Sequence, residues 1–164
     1  MSSTEKNLWA AFAGESQANR KYLAYAKKAQ DEGFPHAAKL FRAAASAETV
    51  HAHAHLRTLK QVKSTVENLK DAISGETHEF KEMYPEMIAT AESEGEKSAV
   101  KSFKFANEVE KVHADLYQKA LDNLENMEEV DYYVCGVCGY TCESEAPETC
   151  PVCGVKANMF SKVD

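Results

Sequence analysis

The stretch Glu48-Thr-Val-His51-Ala-His53-Ala-His55 decides how the rest of the chain is read. Its alternation is the pattern of a strand, but the alanines within and before it favour a helix. On a helix, residues three apart lie on one side, so Glu48 and His51 project together. The same spacing recurs further on as Glu110-Lys-Val-His113.

Working outward from that stretch, the 3.6-residue period divides Thr4 to about Met127 into four long helices. Breaks are expected at Asp31–Pro35, Lys63–Thr65 and Ser93–Lys97, where glycine, proline and serine interrupt the pattern. Helices of about 28 residues, each roughly 42 Å long, joined by short connections predict an up-down, all-α four-helix bundle. Each helix carries a glutamate on its apolar stripe. The stripes read Leu8, Phe12, Glu15, Tyr22; then Leu40, Ala44, Glu48, His51, His55; then Ile73, Glu76, Phe80, Met83, Met87; then Phe103, Ala106, Glu110, His113, Tyr117, Leu121, Leu124.

A carboxylate buried without a partner costs several kcal/mol. The lysines lie on the outer faces and do not pair with these four glutamates. A pair of divalent metal ions resolves the conflict, with carboxylates neutralising charge and imidazoles adding nitrogen ligands. One Glu from each of two helices and a Glu-x-x-His from each of the other two is the ferritin-like di-iron pattern. The oxygen-rich donor set suits iron or manganese better than structural zinc. His53 falls on the far side and is expected in solvent, His55 is expected at the core edge, and His36 and His78 are ordinary polar residues.

The chain has 164 residues, of which 44% are hydrophobic and 27% charged, which suits a helical globular domain with a small appendage. Its net charge of -7 argues against nucleic acid as a partner. There is no apolar run of membrane-spanning length and no secretory signal pattern, so the expected compartment is the cytoplasm, with no membrane association.

All 5 cysteines follow residue 134, beyond the acidic stretch Glu125–Tyr133. A domain boundary is therefore expected near 129/130, with 1–129 as the helical bundle and 130–164 as a small metal-stapled domain. Cys135-x2-Cys138 and Cys150-x2-Cys153 are two knuckles of a tetrahedral tetrathiolate site, which spacing alone assigns to iron or zinc equally. A segment this short has too small a core to fold without such a staple. Cys142, between the knuckles, is expected to be a free thiol.

The two halves together resemble the rubrerythrin family over essentially the whole length. TEKNLWAAFAGESQANRKYLAYA (4–26) is similar to that family's first helix, and GETHEFKEMYP (75–85) to its third. YVCGVCGY (133–140) and APETCPVCG (146–154) are similar to its rubredoxin-like β/knuckle tail, with a gap between cysteine pairs one residue shorter than in some members. The resemblance implies di-iron ligands at Glu15, Glu48, His51, Glu76, Glu79, Glu110 and His113, and an FeCys4 centre at Cys135, Cys138, Cys150 and Cys153. Glu79, at the edge of its stripe, enters only through the resemblance, as an extra carboxylate that exchanges with His51 on change of redox state. Tyr22 and Tyr84 match tyrosines close to the family's site; read from the pattern alone, either is a core aromatic.

The resemblance further implies a peroxidase that reduces hydrogen peroxide to water. It implies three irons per chain, zinc being a substitute in either site. It implies an upstream electron donor, a flavoprotein reductase or rubredoxin, and a homodimer in which each tail approaches the partner's di-iron centre. The rival readings are a ferroxidase or iron-handling protein, a di-iron oxygen reductase, and a structural zinc module tethered to a metal-binding bundle. Ferroxidation has no use for the tail, and colour separates zinc from iron, since a ferric tetrathiolate is red.

Overall fold

The structure, a computed structural model, describes residues 1–164. Helix α1 spans Ser3–Asp31 and starts from a reciprocal cap. Ser2 Oγ accepts the Glu5 amide at 3.1 Å, while Glu5 Oε2 accepts the Ser2 amide at 3.3 Å. Gly33, at φ +82°, makes the left-handed turn that ends it. Helix α2, Pro35–Thr58, begins with a proline whose missing N–H costs nothing in a first turn. Helix α3, Thr65–His78, repeats the reciprocal cap with Ser64 and Glu67.

The helical path then widens into a π turn at Glu79–Met83 before α4, Tyr84–Glu94. Pro85 supplies a physical reason. It has no N–H to give to the carbonyl four residues back, and its ring clashes with that carbonyl in a regular helix. The Tyr84 amide reaches instead to the Glu79 carbonyl, five residues back. The extra residue shifts the stripe: Met87, expected on it, is exposed, while Ile88 is half-buried and Ala91 buried. Helix α5 spans Lys97–Asp122 after a turn through Gly95.

The chain falls into two compact units, Met1–Lys63 and Ser64–Asp164, which part in the loop between α2 and α3. The first unit is an antiparallel hairpin of α1 and α2. Its contact face on α2 is Ala38, Ala45 and Ala52, all buried and seven residues apart, and on α1 it includes Ala26 and Ala29. Small side chains let the two backbones approach closely. Asn19 Nδ2 donates across the hairpin to the Ala45 carbonyl at 2.7 Å and to Thr49 Oγ1 at 2.9 Å. Leu40, expected on the apolar stripe, is 70% exposed.

In the second unit α3 and α4 pack on α5. A 3-10 turn at Leu124–Asn126 follows α5, and the sheet begins at Tyr132, so the expected linker is shorter at both ends. Three short strands, β1 (Tyr132–Cys135), β2 (Thr141–Glu143) and β3 (Phe160–Lys162), form an antiparallel sheet in the order β2-β1-β3. Tyr133 pairs with both Cys142 and Lys162. The chain is thus four helical segments, the third interrupted, followed by a small sheet with cysteine knuckles. No helix is long and apolar enough to cross a membrane.

Candidate metal centres

Three groups of side chains bring potential metal donors within 4.8 Å of one another. In the first unit, Glu15 from α1 meets Glu48 and His51 from α2. His51 Nδ1 lies 3.0 Å from Glu48 Oε2 and 3.9 Å from Glu15 Oε1. The i, i+3 spacing alone puts Glu48 and His51 on one side, and the hairpin supplies Glu15.

In the second unit, Glu76 from α3 meets Glu110 and His113 from α5. His113 Nδ1 lies 2.8 Å from Glu110 Oε2 and 3.7 Å from Glu76 Oε2. Glu76 Oε2 is buried and has no hydrogen-bond partner. Burial first, then the neighbouring Glu110 and Glu79 carboxylates, push the Glu76 carboxyl up to about 8. A carboxylate oxygen orphaned beside a second carboxylate and an imidazole is an arrangement that a cation satisfies. The residues present therefore fit a metal ion.

Glu79 lies in the π turn, close to this group but outside it. Burial and the Glu110 charge raise its pKa, while His78 and His113 oppose the rise. Burial and the charges of Glu110, Glu79 and Glu76 likewise raise the pKa of the Tyr84 hydroxyl. Its ring packs on Phe103 at 6.3 Å. Tyr22 packs with Tyr25 and Phe41, at 6.4 and 6.3 Å between ring centroids.

The third group is Cys135, Cys138, Cys150 and Cys153. Cys135 Sγ lies 3.7 Å from Cys153 Sγ, and Cys138 Sγ 3.6 Å from Cys150 Sγ. A tetrahedron with metal–sulfur bonds of about 2.3 Å has edges of roughly 3.8 Å, so the four thiols are spaced for one ion. Burial pushes the Cys138 thiol up, against a bond from the Tyr140 amide. Burial pushes the Cys150 thiol up too, but the amides of Cys153 and Val152 outweigh it and hold it down at about 7. Amides aimed at sulfur favour thiolates, the form a metal binds. Cys142 lies in β2 outside the group, its Sγ 3.4 Å from the Glu145 carbonyl.

Of the other histidines, His53 is exposed, His55 is half-buried and His78 lies 3.2 Å from Glu82. Two features escaped the reading of the pattern. The π turn had a signal in Pro85. The other is a contact between the tail and α5 in one chain: His113 Nε2 lies 3.0 Å from Thr141 Oγ1. The cysteine module thus reaches His113 of its own chain.

Residues 6–121 match the family described as rubrerythrin, and residues 133–161 match its rubredoxin-like domain. Rubrerythrin-2 of Clostridium acetobutylicum is 37% identical, over 93% of this chain and 92% of the relative. Nigerythrin of Nitratidesulfovibrio vulgaris is 34% identical, over 97% and 86%. A solved structure of nigerythrin in a mixed-valence state superposes with a TM-score of 0.61 at 33% identity, covering 99% of this chain and 88% of that one.

Glu76 predicts a pH dependence for the metal-free protein. Its carboxyl, raised from 4.5 to about 8, keeps its proton in the folded state after the unfolded chain has lost it. The folded form binds more protons between those values, so its contribution to stability falls as pH rises from about 4.5 to about 8 and then levels off. Urea unfolding of the metal-free protein across that window should show the fall, and Glu76→Gln should flatten it. A slope unchanged in the variant would contradict the assignment.

Proposed function

The chain belongs to the rubrerythrin family, and on that premise we propose that it is a non-haem di-iron peroxidase. It reduces hydrogen peroxide to water with electrons that enter through the four-cysteine centre. The observation that carries this reading is the presence, on one chain, of two carboxylate–imidazole groups and one tetrathiolate group. Each helix group offers two carboxylates and one imidazole, a donor set for one ion, so two groups serve two ions. The protein would hold three irons, at Glu15, Glu48 and His51, at Glu76, Glu110 and His113, and at the four cysteines, with zinc able to replace iron in each.

Glu15, Glu48 and His51 would hold one ferrous ion and Glu76, Glu110 and His113 another, each able to supply one electron for O–O cleavage, and an iron on the four cysteines would restore those electrons singly. The protein's own part is to place donors and move protons. Glu79 stands beside the Glu76–Glu110–His113 group without belonging to it, which leaves it free to move or to accept a proton. Tyr84 presents a hydroxyl to the same carboxylates, and burial keeps that hydroxyl protonated. Tyr22 has the part the resemblance gives it, a tyrosine near the site. Two electrons and two protons per peroxide give two waters.

The functional division of the chain is 1–129 for peroxide chemistry and 130–164 for electron entry. The electron donor is a flavoprotein reductase or a rubredoxin, the working form is a homodimer, and the compartment is the cytoplasm. An iron-handling role would leave the tetrathiolate without work to do. An oxygen reductase would use the same residues and differ only in oxidant.

Two variants test the proposal. Cys150→Ser should leave one round of peroxide reduction by pre-reduced protein intact and abolish steady turnover; sustained turnover would show that electrons enter elsewhere. Glu79→Ala should lower steady peroxide turnover by roughly 100-fold, the scale of a lost proton-transfer group, with little change in iron content. Turnover at the wild-type rate in that variant would remove Glu79 from the chemistry.

A further inference from the structure

The loop between the first cysteine knuckle and β2 lies on a single turn of α5. A Cβ added at Gly139 would stand 3.8 Å from Val109 Cγ1, and Thr141 Oγ1 is 3.0 Å from His113 Nε2, one helical turn further along. Thr141 Oγ1 also lies 3.1 Å from the Gly139 carbonyl. Lys119 and Glu143 pair between the same helix and strand. Gly139 itself follows Cys138 directly, so an unbroken path of hydrogen bonds and one peptide unit joins a cysteine ligand position to His113.

With a metal ion on Nδ1 of His113, the donors and acceptors along this path admit one consistent direction. The Gly139 carbonyl only accepts, so the Thr141 hydroxyl gives it its single proton. The hydroxyl oxygen is then an acceptor toward His113, which must carry its proton on Nε2. Nδ1, the nitrogen 2.8 Å from Glu110 and 3.7 Å from Glu76, then turns its lone pair to the metal in place of the contact it makes with Glu110 in the metal-free protein. The reverse direction leaves the Gly139 carbonyl without this donor and puts a proton on Nδ1, in the midst of the carboxylate group. A metal-binding imidazole needs the first arrangement, with its second nitrogen donating to a fixed acceptor.

We infer that Thr141 is a positioning residue for the metal centre: its hydroxyl receives the Nε2–H of His113, aims Nδ1 at Glu76 and Glu110, and ties that ligand to the Cys138 loop of the same chain. The inference rests on the metal reading given above and concerns a residue of the cysteine module that is not itself a ligand. It also makes the docking of the tail on α5 part of the helix site's construction, in addition to any role in electron entry.

The test uses the full-length protein, emptied of metal and titrated with Co(II), whose bands at a tetrathiolate and at an oxygen–nitrogen site are distinct. Thr141→Val keeps the shape and removes the hydroxyl, and Thr141→Ser keeps the hydroxyl. Thr141→Val should weaken cobalt binding at the His113 group about 10- to 100-fold, with the tetrathiolate band unchanged as the measure of a folded tail. Thr141→Ser should bind as wild type does. In proton NMR of the cobalt protein, the shifted Nε2–H signal of His113 should persist in wild type and Thr141→Ser and exchange away in Thr141→Val.

Wild-type affinity and a persistent signal in Thr141→Val would overturn the inference. So would a Thr141→Ser variant as defective as Thr141→Val. A wild-type protein that takes no cobalt at the helix groups would overturn both the metal reading and the inference. Normal cobalt behaviour in a protein whose iron form consumes no peroxide would overturn the peroxidase reading and leave Thr141 in its place.

Discussion

Everything in this structure turns on carboxylates held where water cannot fully serve them. Glu76 has an oxygen that is buried and without a hydrogen bond, with the Glu110 and Glu79 carboxylates close by. Moving such a group out of water costs several kcal/mol unless it takes up a proton or meets a positive charge. The metal-free protein answers with a proton on Glu76. A cation would answer for all the carboxylates at once, and the histidine one turn from Glu110 adds the nitrogen a transition metal prefers. The cap that starts α3 and the packing of α3 and α4 on α5 hold those carboxylates in place, as the alanine face between α1 and α2 holds Glu15 beside Glu48 and His51.

The π turn shows how a local rule adjusts the site. Pro85 prevents a regular helix from running through the preceding turn, and the path widens by one residue at Glu79–Met83. That single residue shifts the buried stripe beyond it from Met87 to Ile88 and Ala91. A uniform 3.6-residue period therefore placed Glu76, which precedes the turn, well and Met87, which follows it, poorly. The Glu-x-x-His pairs were legible because three residues span nearly one turn whatever lies elsewhere. The cysteine knuckles were legible because their spacing is the geometry itself.

What stayed out of reach depended on contacts between distant parts of the chain. Nothing around Thr141 marks it as a neighbour of His113, 28 positions earlier. Leu40 looked like core because only its own helix was in view, while the buried face of α2 is the run of alanines beside it. Small residues carry little signal in a hydrophobic pattern, yet they set how closely α1 and α2 approach. The cysteine module, which reads as an appendage by composition, belongs to the same compact unit as α3, α4 and α5.

The most direct test of the central claim, that the carboxylate–imidazole groups and the four-cysteine site work as one peroxide-reducing system, is a rapid-mixing experiment without oxygen. The fully reduced, iron-loaded protein is mixed with hydrogen peroxide while the visible band of the ferric tetrathiolate is followed. The account predicts fast appearance of that band as peroxide is consumed, because electrons leave the cysteine centre to restore the helix site. Peroxide that persists, or a tetrathiolate that stays ferrous while peroxide disappears, would contradict it.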